Sequence, residues 1–291
     1  MLLHALSNVR RLKSLHLEVC HVDHGLRRNS ASDAAFVAAQ CKKLGVDCHI
    51  RTLGARPVTE NMEAWARRGR YDAFQQLRRE QGLHHIVTAH TANEVAETLL
   101  MRLIANKELN TIEDSDEERG CLRPLLDITR AQIEEYVVEQ SVLFVEDPTN
   151  EDTSLVRNRI RKRVIPFIES EFDASIVWSL AERAQALAED CDALRWMAEQ
   201  VAGSVGAIEF DAPEWVNRCR TELHSAHPAV QWRVAQTLFT PLLGHTISQG
   251  RAEVLLNLLR VENGRVDVGG GRILEMRKGG LFLSPPEGQK I

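Results

Sequence analysis

Apolar residues recur at helical spacing from the second residue of the chain onward. Leu2, Leu3, Leu6 and Val9 share one face and predict an opening helix over residues 2–12. Amphipathic stretches predict further helices at 30–45, 62–82 and 93–105, and short apolar runs predict buried strands at 15–23, 48–53 and 85–90. This alternation indicates the α/β class, with a parallel, Rossmann-like sheet covered by helices on both faces.

The opening helix lacks the elements that usually precede a helix in such a sheet. Each α/β unit runs from strand to loop to helix. No side chain in front of Leu2 can cap the first turn by accepting hydrogen bonds from its free amides. The pattern therefore predicts that a strand and a loop belong before this helix.

The remainder of the chain changes character near residue 172. A helix capped near Thr129, an extended and turning segment at 142–154, and a basic helix over 154–169 that ends near Pro166 complete the first part. From residue 173 the periodicity is helical, and glycine-separated runs over 264–284 predict a small antiparallel sheet. We therefore divide the chain into an α/β domain, 1–172, and a mostly helical domain ending in a small β unit, 173–291.

The composition narrows the class of protein. Apolar residues make up 44% of the 291 residues. This fraction is enough to form hydrophobic cores, so the chain is not expected to be globally disordered. No apolar run approaches the roughly 18 residues of a membrane span, and no signal-peptide pattern opens the chain. We therefore expect a soluble, cytoplasmic protein without a membrane partner. The six cysteines are scattered, which excludes a Cys-x-x-Cys zinc or redox pair.

Charge is unevenly distributed along the chain, although the net charge is only −5. Basic residues cluster at Arg67, Arg68 and Arg70, and they occupy five of the seven positions from Arg157 to Arg163. Acidic residues cluster at 113–118, where we expect a surface loop. Such clusters mark either a solvated surface or a contact with nucleic acid.

Polar side chains converge on one edge of the predicted sheet. Ligands of open parallel sheets bind beyond the carboxyl ends of the strands. The residues that lie there, or reach there from neighbouring helices, are Asp23, His24, His90, Glu94, Glu97, Arg67 and Arg70. Carboxylates can hold Mg²⁺ or a cationic substrate, and arginines suit phosphate. Each residue alone also has a structural explanation, such as a carboxylate at a helix N-terminus, and only their convergence indicates a site.

Five stretches of the chain, in order, resemble one known family. They are VDHGLRRNSASDAAFVAAQCKKLGV, MEAWARRGRYDAF, VTAHTANEVAETLLMRL, RPLLDITRAQIEEY and EDPTNEDTSLVRNRIRKRVIP. Together they are similar to the tRNA(Ile)-lysidine synthetase family of PP-loop ATP pyrophosphatases, from the first residue to about residue 170. The resemblance implies a PP-loop catalytic domain followed by a helical domain that binds tRNA or substrate.

The resemblance also implies an ATP-dependent ligation in two steps. ATP and Mg²⁺ activate C2 of the wobble cytidine of tRNA(Ile), which carries a CAU anticodon, and free L-lysine then displaces AMP. Asp23 would hold Mg²⁺ or the α-phosphate, Arg67 and Arg70 would face phosphates, and Glu94 and Glu97 would hold the ammonium groups of lysine. The implied cofactor-binding set is Asp23, His24, Gly25 and His90. The implied substrate or tRNA-binding set is Arg157, Asn158, Arg161, Lys162 and Arg163.

The sequence departs from the family pattern at three places, one of which is the usual glycine-rich RGxG stretch, replaced here by RLIANKELNTI. The usual AHHxDDQAET is AHTANEVAET here, so the substituted positions are Thr91, Asn93, Glu94 and Val95. The SGGxDS nucleotide loop, whose backbone amides approach pyrophosphate at a helix N-terminus, has no counterpart, and MLLHAL matches the segment that follows that loop. We therefore expect a fold with an exposed or re-paired sheet position that binds ATP poorly.

Three other functions stay open on sequence grounds. A non-catalytic tRNA-binding protein accounts for the absent loop and the altered AHTANEV segment. A PP-loop enzyme of another specificity, such as tRNA thiolation, is disfavoured because paired cysteines for an iron–sulfur cluster or zinc are absent. A metal-dependent hydrolase would use His21, Asp23, His24 and His90. The sequence does not determine the oligomeric state, and a homodimer is compatible with it.

Overall fold

The computed structural model describes residues 1–25, 30–57, 61–109, 112, 115–116, 119–145, 151–206 and 209–284. Within it the chain forms two compact units, Met1–Ala188 and Glu189–Ile291. The sequence pattern places the change of character at residue 172, whereas the division between the units lies inside a long helix. The assignment of a catalytic role to one part and a substrate-binding role to the other stays a prediction.

The first unit alternates helices and strands in the order that the periodicity predicts, which confirms the α/β class. Its described elements are α1 (Leu2–Lys13), β1 (Glu18–Asp23), α2 (Ser30–Leu44), β2 (Asp47–Thr52), α3 (Met62–Glu80), β3 (Ile86–Val87), α4 (Ala92–Ile104), β4 (Ser115–Asp116), β5 (Cys121–Leu122), α5 (Arg130–Glu139), α6 (Val156–Arg159), a π-helical turn (Ile160–Val164), α7 (Ile165–Glu171) and the first part of α8 (Ile176–Val205).

The opening helix is held in place by side chains rather than by an N-terminal cap. α1 begins at Leu2 without a side-chain hydrogen bond to its first turn, as the sequence predicts. Arg10 donates to the carbonyl oxygens of Leu44 and Gly45, both at 2.9 Å, so α1 also satisfies free carbonyls at the end of α2. His4 lies 2.8 Å from the hydroxyl of Tyr136 in α5.

The strands of the first unit pair in two separate groups. β1 and β2 are parallel, with Asp23 opposite Thr52 at their carboxyl ends. β3 pairs in parallel with β5, and β4 pairs antiparallel with β5. The predicted third strand, 85–90, forms only two residues of ladder, and within the described residues its partner is β5 rather than β1 or β2. Periodicity could not reveal β5, because a strand of two residues carries no alternating pattern.

The core of the first unit forms around α4. Ala92 and Ala96 are fully buried against Ile160 and Ile165, and Val95 and Leu99 pack nearby in the same unit. Small residues on this face allow the helix that contains the π-helical turn to approach α4 closely. That approach brings polar residues of the two segments within hydrogen-bonding distance.

The basic helix continues past the proline at which the sequence predicts its end. α6, the π-helical turn and α7 follow one another without a break from Val156 to Glu171. Pro166 occupies the first turn of α7, where its missing amide proton is not required. The amide of Ile165 donates to the carbonyl of Ile160, an i→i+5 bond that widens the helix just before the proline. The widened turn therefore accommodates a residue that normally stops a helix.

In its described residues the second unit contains the rest of α8, three further helices and a small sheet. Its other elements are α9 (Pro213–Ser225), α10 (Pro228–Leu243), α11 (Gln249–Arg260), β6 (Gly264–Gly269), β7 (Arg272–Arg277) and β8 (Gly280–Leu283). The three strands form the antiparallel sheet that the sequence predicts. Phe239, Leu255 and Leu274 are fully buried in the core between helices and sheet. In the part of the chain that the structure describes, every helix is too short or too polar to span a bilayer.

Candidate functional site

The carboxyl end of β1 presents a turn built around Asp23. The amide of Gly25 donates to Oδ1 of Asp23 at 2.8 Å, and this bond lowers the pKa of the carboxyl. Gly25 has a positive φ of 63°, a conformation that suits glycine. Beside it, His24 lies 3.3 Å from Nη2 of Arg70 and packs against the ring of Trp65, so α3 is anchored to the end of β1.

The carboxyl end of β3 places His90 among arginines. Burial, and after it the nearby guanidinium groups of Arg123, Arg67, Arg157 and Arg70 in that order, together lower the pKa of His90 to about 4. The ring is therefore neutral near pH 7, and its Nδ1 lies 2.9 Å from Oγ1 of Thr88. Because cations from α3, α6 and the residue after β5 converge here, the local potential is positive and favours an anion such as a phosphate.

A buried carboxylate on α4 holds two arginines of the basic helix. The side chain of Glu97 has no exposed surface. Nε of Arg157 donates to Oε2 of Glu97 at 2.7 Å, and Nε of Arg161 donates to Oε1 at 2.6 Å, with a further bond of 3.1 Å from Nη2 of Arg161. Arg157 and Arg161 lie 60 and 64 residues from Glu97 in sequence. We call these three residues the Glu97 clamp.

Glu94 lies one turn before Glu97 and is more accessible. Its side chain is 26% exposed, and Oε1 lies 3.5 Å from Nη2 of Arg157. Oε2 accepts a hydrogen bond from the amide of Thr91 at 3.1 Å, which completes a capping box at the start of α4. Burial raises the pKa of Glu94, while Arg157 opposes that rise. This carboxylate therefore combines helix capping with a surface that a small cation can reach.

The other basic-helix residues face different directions. Asn158 is buried and donates to the carbonyl of Asp152 at 2.7 Å, which ties the helix to the segment before it. Lys162 forms an ion pair of 2.5 Å with Glu151. Arg163 is exposed on the outside of the helix. The arginines spaced four apart, Arg157 and Arg161, therefore turn inward toward α4 and leave the remaining cations at the surface.

Comparison with known proteins places this geometry in a family. A family model described as a PP-loop domain matches residues 1–168. The tRNA(Ile)-lysidine synthase of a Nostoc species is 30% identical over 264 residues, which cover 85% of this chain and 76% of that protein. The chain belongs to the tRNA(Ile)-lysidine synthase family of PP-loop proteins. The resemblance seen in the five motifs is thereby confirmed.

Other relatives differ in length and in identity. The tRNA(Ile)-lysidine synthase of Thermus thermophilus is 35% identical over 273 residues, covering 92% of this chain and 52% of that protein. The chain thus spans about half the length of this relative. Among solved structures, the U34-tRNA thiolase NcsA from Methanococcus maripaludis superposes with a TM-score of 0.54 at 14% identity, over 64% of this chain and 68% of that one. At this identity the likeness concerns the fold alone.

The structure brings together most of the residues that the family motifs indicate. Arg67, Arg70 and Arg157 lie near enough to His90 to lower its pKa, and Arg70 also contacts His24 beside Asp23. Sequence reasoning missed Arg123, which is almost fully buried directly after β5. Arg123 begins the RPLLD stretch that the family motifs include. Because the sequence does not predict β5, it also does not place that stretch at the edge of the sheet.

Some expectations lie outside the described residues. These are the segment 26–29 after Gly25, most of the acidic stretch at 113–118, and EDPTN at 146–150. In the described part of the chain, no three His, Cys, Asp or Glu side chains are grouped to hold a metal ion. His21, Asp23, His24 and His90, all described, thus do not form such a group.

Proposed function

We propose that this protein ligates lysine to C2 of the wobble cytidine of tRNA(Ile) with a CAU anticodon. In the first step the O2 oxygen of the cytidine attacks the α-phosphorus of ATP, and pyrophosphate leaves. In the second step the ε-amine of L-lysine attacks C2, the C2–O bond breaks, and AMP leaves. Family membership supports ATP use and action on tRNA, and the site geometry supports a division of labour between its residues.

The cluster around His90 suits the phosphates of ATP. Arg67, Arg70, Arg123 and Arg157 all lower the pKa of this ring, so their charges act on one small volume. Preorganised cations stabilise the negative charge that develops on the leaving pyrophosphate. A neutral His90 can also donate or accept a hydrogen bond without adding charge.

Asp23 is our candidate for Mg²⁺. Mg²⁺ is commonly bound through one or two carboxylates together with substrate phosphates and waters, so a single aspartate at the sheet edge fits. The pKa of Asp23 is lowered by the Gly25 amide, which keeps the carboxyl ionised. His24 and Gly25, on the same turn, would complete the nucleotide-binding set. A bound Mg²⁺ would supply charge neutralisation for the triphosphate.

The two glutamates of α4 divide between binding and positioning. Both oxygens of Glu97 are engaged by arginines and the side chain has no exposed surface, so we assign Glu97 to positioning Arg157 and Arg161. Glu94 retains exposed surface, and we assign it to the ammonium group of lysine. Its raised pKa also suits a group that takes a proton from that ammonium before attack.

The observation that carries the proposal is the Glu97 clamp. It joins the AHTANEVAET segment to the RNRIR segment, two motifs that the resemblance associates with the site and that are far apart in sequence. A buried carboxylate paired with two arginines requires specific geometry, because each charge loses most of its hydration. The clamp therefore gives Glu97, Arg157 and Arg161 a structural purpose that an exposed charged surface would not require.

The test is incorporation of radiolabelled lysine into a tRNA(Ile) transcript with a CAU anticodon. We expect incorporation that requires ATP, releases AMP and fails when the anticodon is changed to GAU. The assay should include the 291-residue chain and the longest in-frame product of the same gene. Glu94→Gln should raise the KM for lysine, and Glu134→Gln, on the exposed face of α5, should not. ATP-independent labelling, or none with either protein, would refute the proposal.

A second candidate function is tRNA binding without catalysis. Asn93 replaces an aspartate of the family pattern, and its Oδ1 accepts a bond of 2.7 Å from the amide of Arg130, so this position serves the N-terminus of α5. A structural hydrogen bond at a position that carries an aspartate in the family pattern favours a protein that has lost catalytic activity. Tight binding of tRNA(Ile) by the longest in-frame product, with no formation of AMP, would support this alternative.

A further inference from the structure

The outer side of the basic helix carries an exposed row of cations and aromatic rings. Arg159 and Arg163 are exposed, Phe167 is 59% exposed, and Phe172 is 77% exposed. We propose that these four residues, called here the outer face, bind unpaired loop nucleotides of the tRNA. The inference rests on the proposed function, because it names the part of the same partner that this helix contacts.

The spacing places three of the four residues on one side of the helix, and a ring contact joins Phe172 to them. Arg159, Arg163 and Phe167 follow one another at intervals of four, which keeps side chains on neighbouring turns of one side. The rings of Phe167 and Phe172 lie 6.0 Å apart at 67°. An edge-to-face pair of this kind leaves ring surface open to solvent. The outer face is thus a continuous strip rather than four separate side chains.

The charges of the outer face are available to a partner. Among the residues that the structure describes, Arg159 and Arg163 make no ion pair or side-chain hydrogen bond, whereas Arg157, Arg161 and Lys162 on the same helix are all paired with glutamates. The helix therefore uses three cations internally and leaves two for an external anion. Phosphates of a nucleic-acid backbone are the matching anions.

The aromatic rings of the outer face favour single-stranded over double-stranded RNA as its partner. Exposed phenylalanine rings are unfavourable in water. Phe167 and Phe172, beside Arg159 and Arg163, form an aromatic surface on which unpaired bases can stack. Double-stranded RNA offers its bases only within the helix stack, whereas loops present splayed bases to aromatic side chains. A platform of rings next to cations therefore matches a single-stranded loop better than a duplex.

The outer face lies close to the candidate catalytic groups. Arg157 and Arg161 turn inward to Glu97 from the same helix that carries Arg159 and Arg163 outward. An α-helix with its side chains is about 10–12 Å across, so a nucleotide that contacts Arg159 or Arg163 is held within about that distance of the Glu97 clamp. This arrangement would keep one loop nucleotide near the site while its neighbours stack outside.

Binding of the full chain to tRNA(Ile) and to its isolated anticodon stem–loop tests the inference. We expect Phe167→Leu and Phe172→Leu each to weaken binding by at least about fivefold, because base stacking on an aromatic ring is lost. The dependence of affinity on salt should not change in these variants. Arg163→Gln should weaken binding and make the slope of log K against log salt shallower by about 0.7, the value for one phosphate of a single strand.

Matched controls separate these effects from general damage. Phe144→Leu removes a phenylalanine of similar exposure, 61%, elsewhere in the same unit. Arg79→Gln removes an exposed arginine at the far end of α3. Neither control should change affinity by more than about twofold, and all variants should keep the thermal stability of the parent, because the substituted side chains are mostly exposed.

The outcomes separate this inference from the function on which it rests. If the parent chain binds tRNA and the phenylalanine variants bind as well as Phe144→Leu, the outer face is not a stacking platform and the inference fails alone. If the variants instead convert a dimer to a monomer in sedimentation velocity without changing RNA affinity, the face is a protein interface and the inference also fails. If neither the 291-residue chain nor the longest in-frame product of the gene binds tRNA, both fail.

Discussion

Replacing Glu97 by glutamine removes the charge at the centre of the Glu97 clamp while keeping its size. The glutamine can accept from only one of the two arginines at its single carbonyl oxygen, and its amide group meets the other arginine as donor against donor. Arg157 and Arg161 then share a site without the carboxylate that both of them contact at 2.6–2.7 Å. We expect the contact between α4 and the basic helix to loosen.

The magnitude follows from how much of each charge is buried. Removing one partner of a fully buried ion pair costs about 3–5 kcal/mol. Arg157 and Arg161 are 36% and 24% exposed, so water recovers part of that cost. We therefore expect Glu97→Gln to destabilise the closed arrangement by about 2–3 kcal/mol. That corresponds to roughly a 30-fold to 150-fold increase in the equilibrium constant for local opening.

Hydrogen–deuterium exchange of peptides from α4 and from residues 156–165 measures that constant directly. The matched control is Glu134→Gln, which breaks the exposed i,i+4 pair with Arg130 at 3.1 Å. Such pairs contribute about 0.3–0.5 kcal/mol, so exchange in α5 should rise only about twofold. If Glu97→Gln changes exchange by no more than this control, the clamp does not hold the two segments together and the reasoning is wrong.

Three further predictions concern stability. The pKa of His90 is about 4 in the folded chain and 6.5 in the unfolded chain, so the unfolded state binds more protons between these pH values, and the free energy of unfolding should fall by up to about 2 kcal/mol as the pH drops from 6.5 to 4. Urea titrations of His90→Leu should show a weaker dependence of this free energy on pH, and an unchanged dependence would contradict the assignment. Thr129→Ala removes the side-chain acceptor for the amide of Gln132 and should cost about 1 kcal/mol, seen as faster exchange in the first turn of α5 alone. Gly280→Ala would place Cβ against the carbonyl oxygen of Asp211 and should lower the melting temperature of the second unit at a cost of about 1–3 kcal/mol, whereas Gly250→Ala in α11, where the added methyl meets open space, should not; the reverse order would refute the steric argument.

Local sequence determined the elements that depend on local physics. Helices with a sustained apolar face, such as α1, α2 and α4, begin and end within two residues of their predicted limits, because a period of 3.6 is visible within a few turns. The cap at Thr129 and the glycine-separated strands at the end of the second unit were predicted because capping residues and turn glycines are also signals within a few residues. Ordered motifs also identified the family, since each motif is contiguous in sequence.

Tertiary structure decided which polar residues meet. No local pattern shows that Glu97 is fully buried with two arginines 60 and 64 positions away, nor that Arg123 acts on His90. Local pattern also does not show the π-helical turn that carries the basic helix past Pro166, nor that Ile160 and Ile165 beside it pack against α4. Periodicity reports which face of an element is buried, but pairing between distant elements is decided by the fold as a whole. For this protein the sequence alone therefore determined the elements and the family, and the tertiary structure decided that Glu97 is buried between two arginines while Glu94 keeps exposed surface.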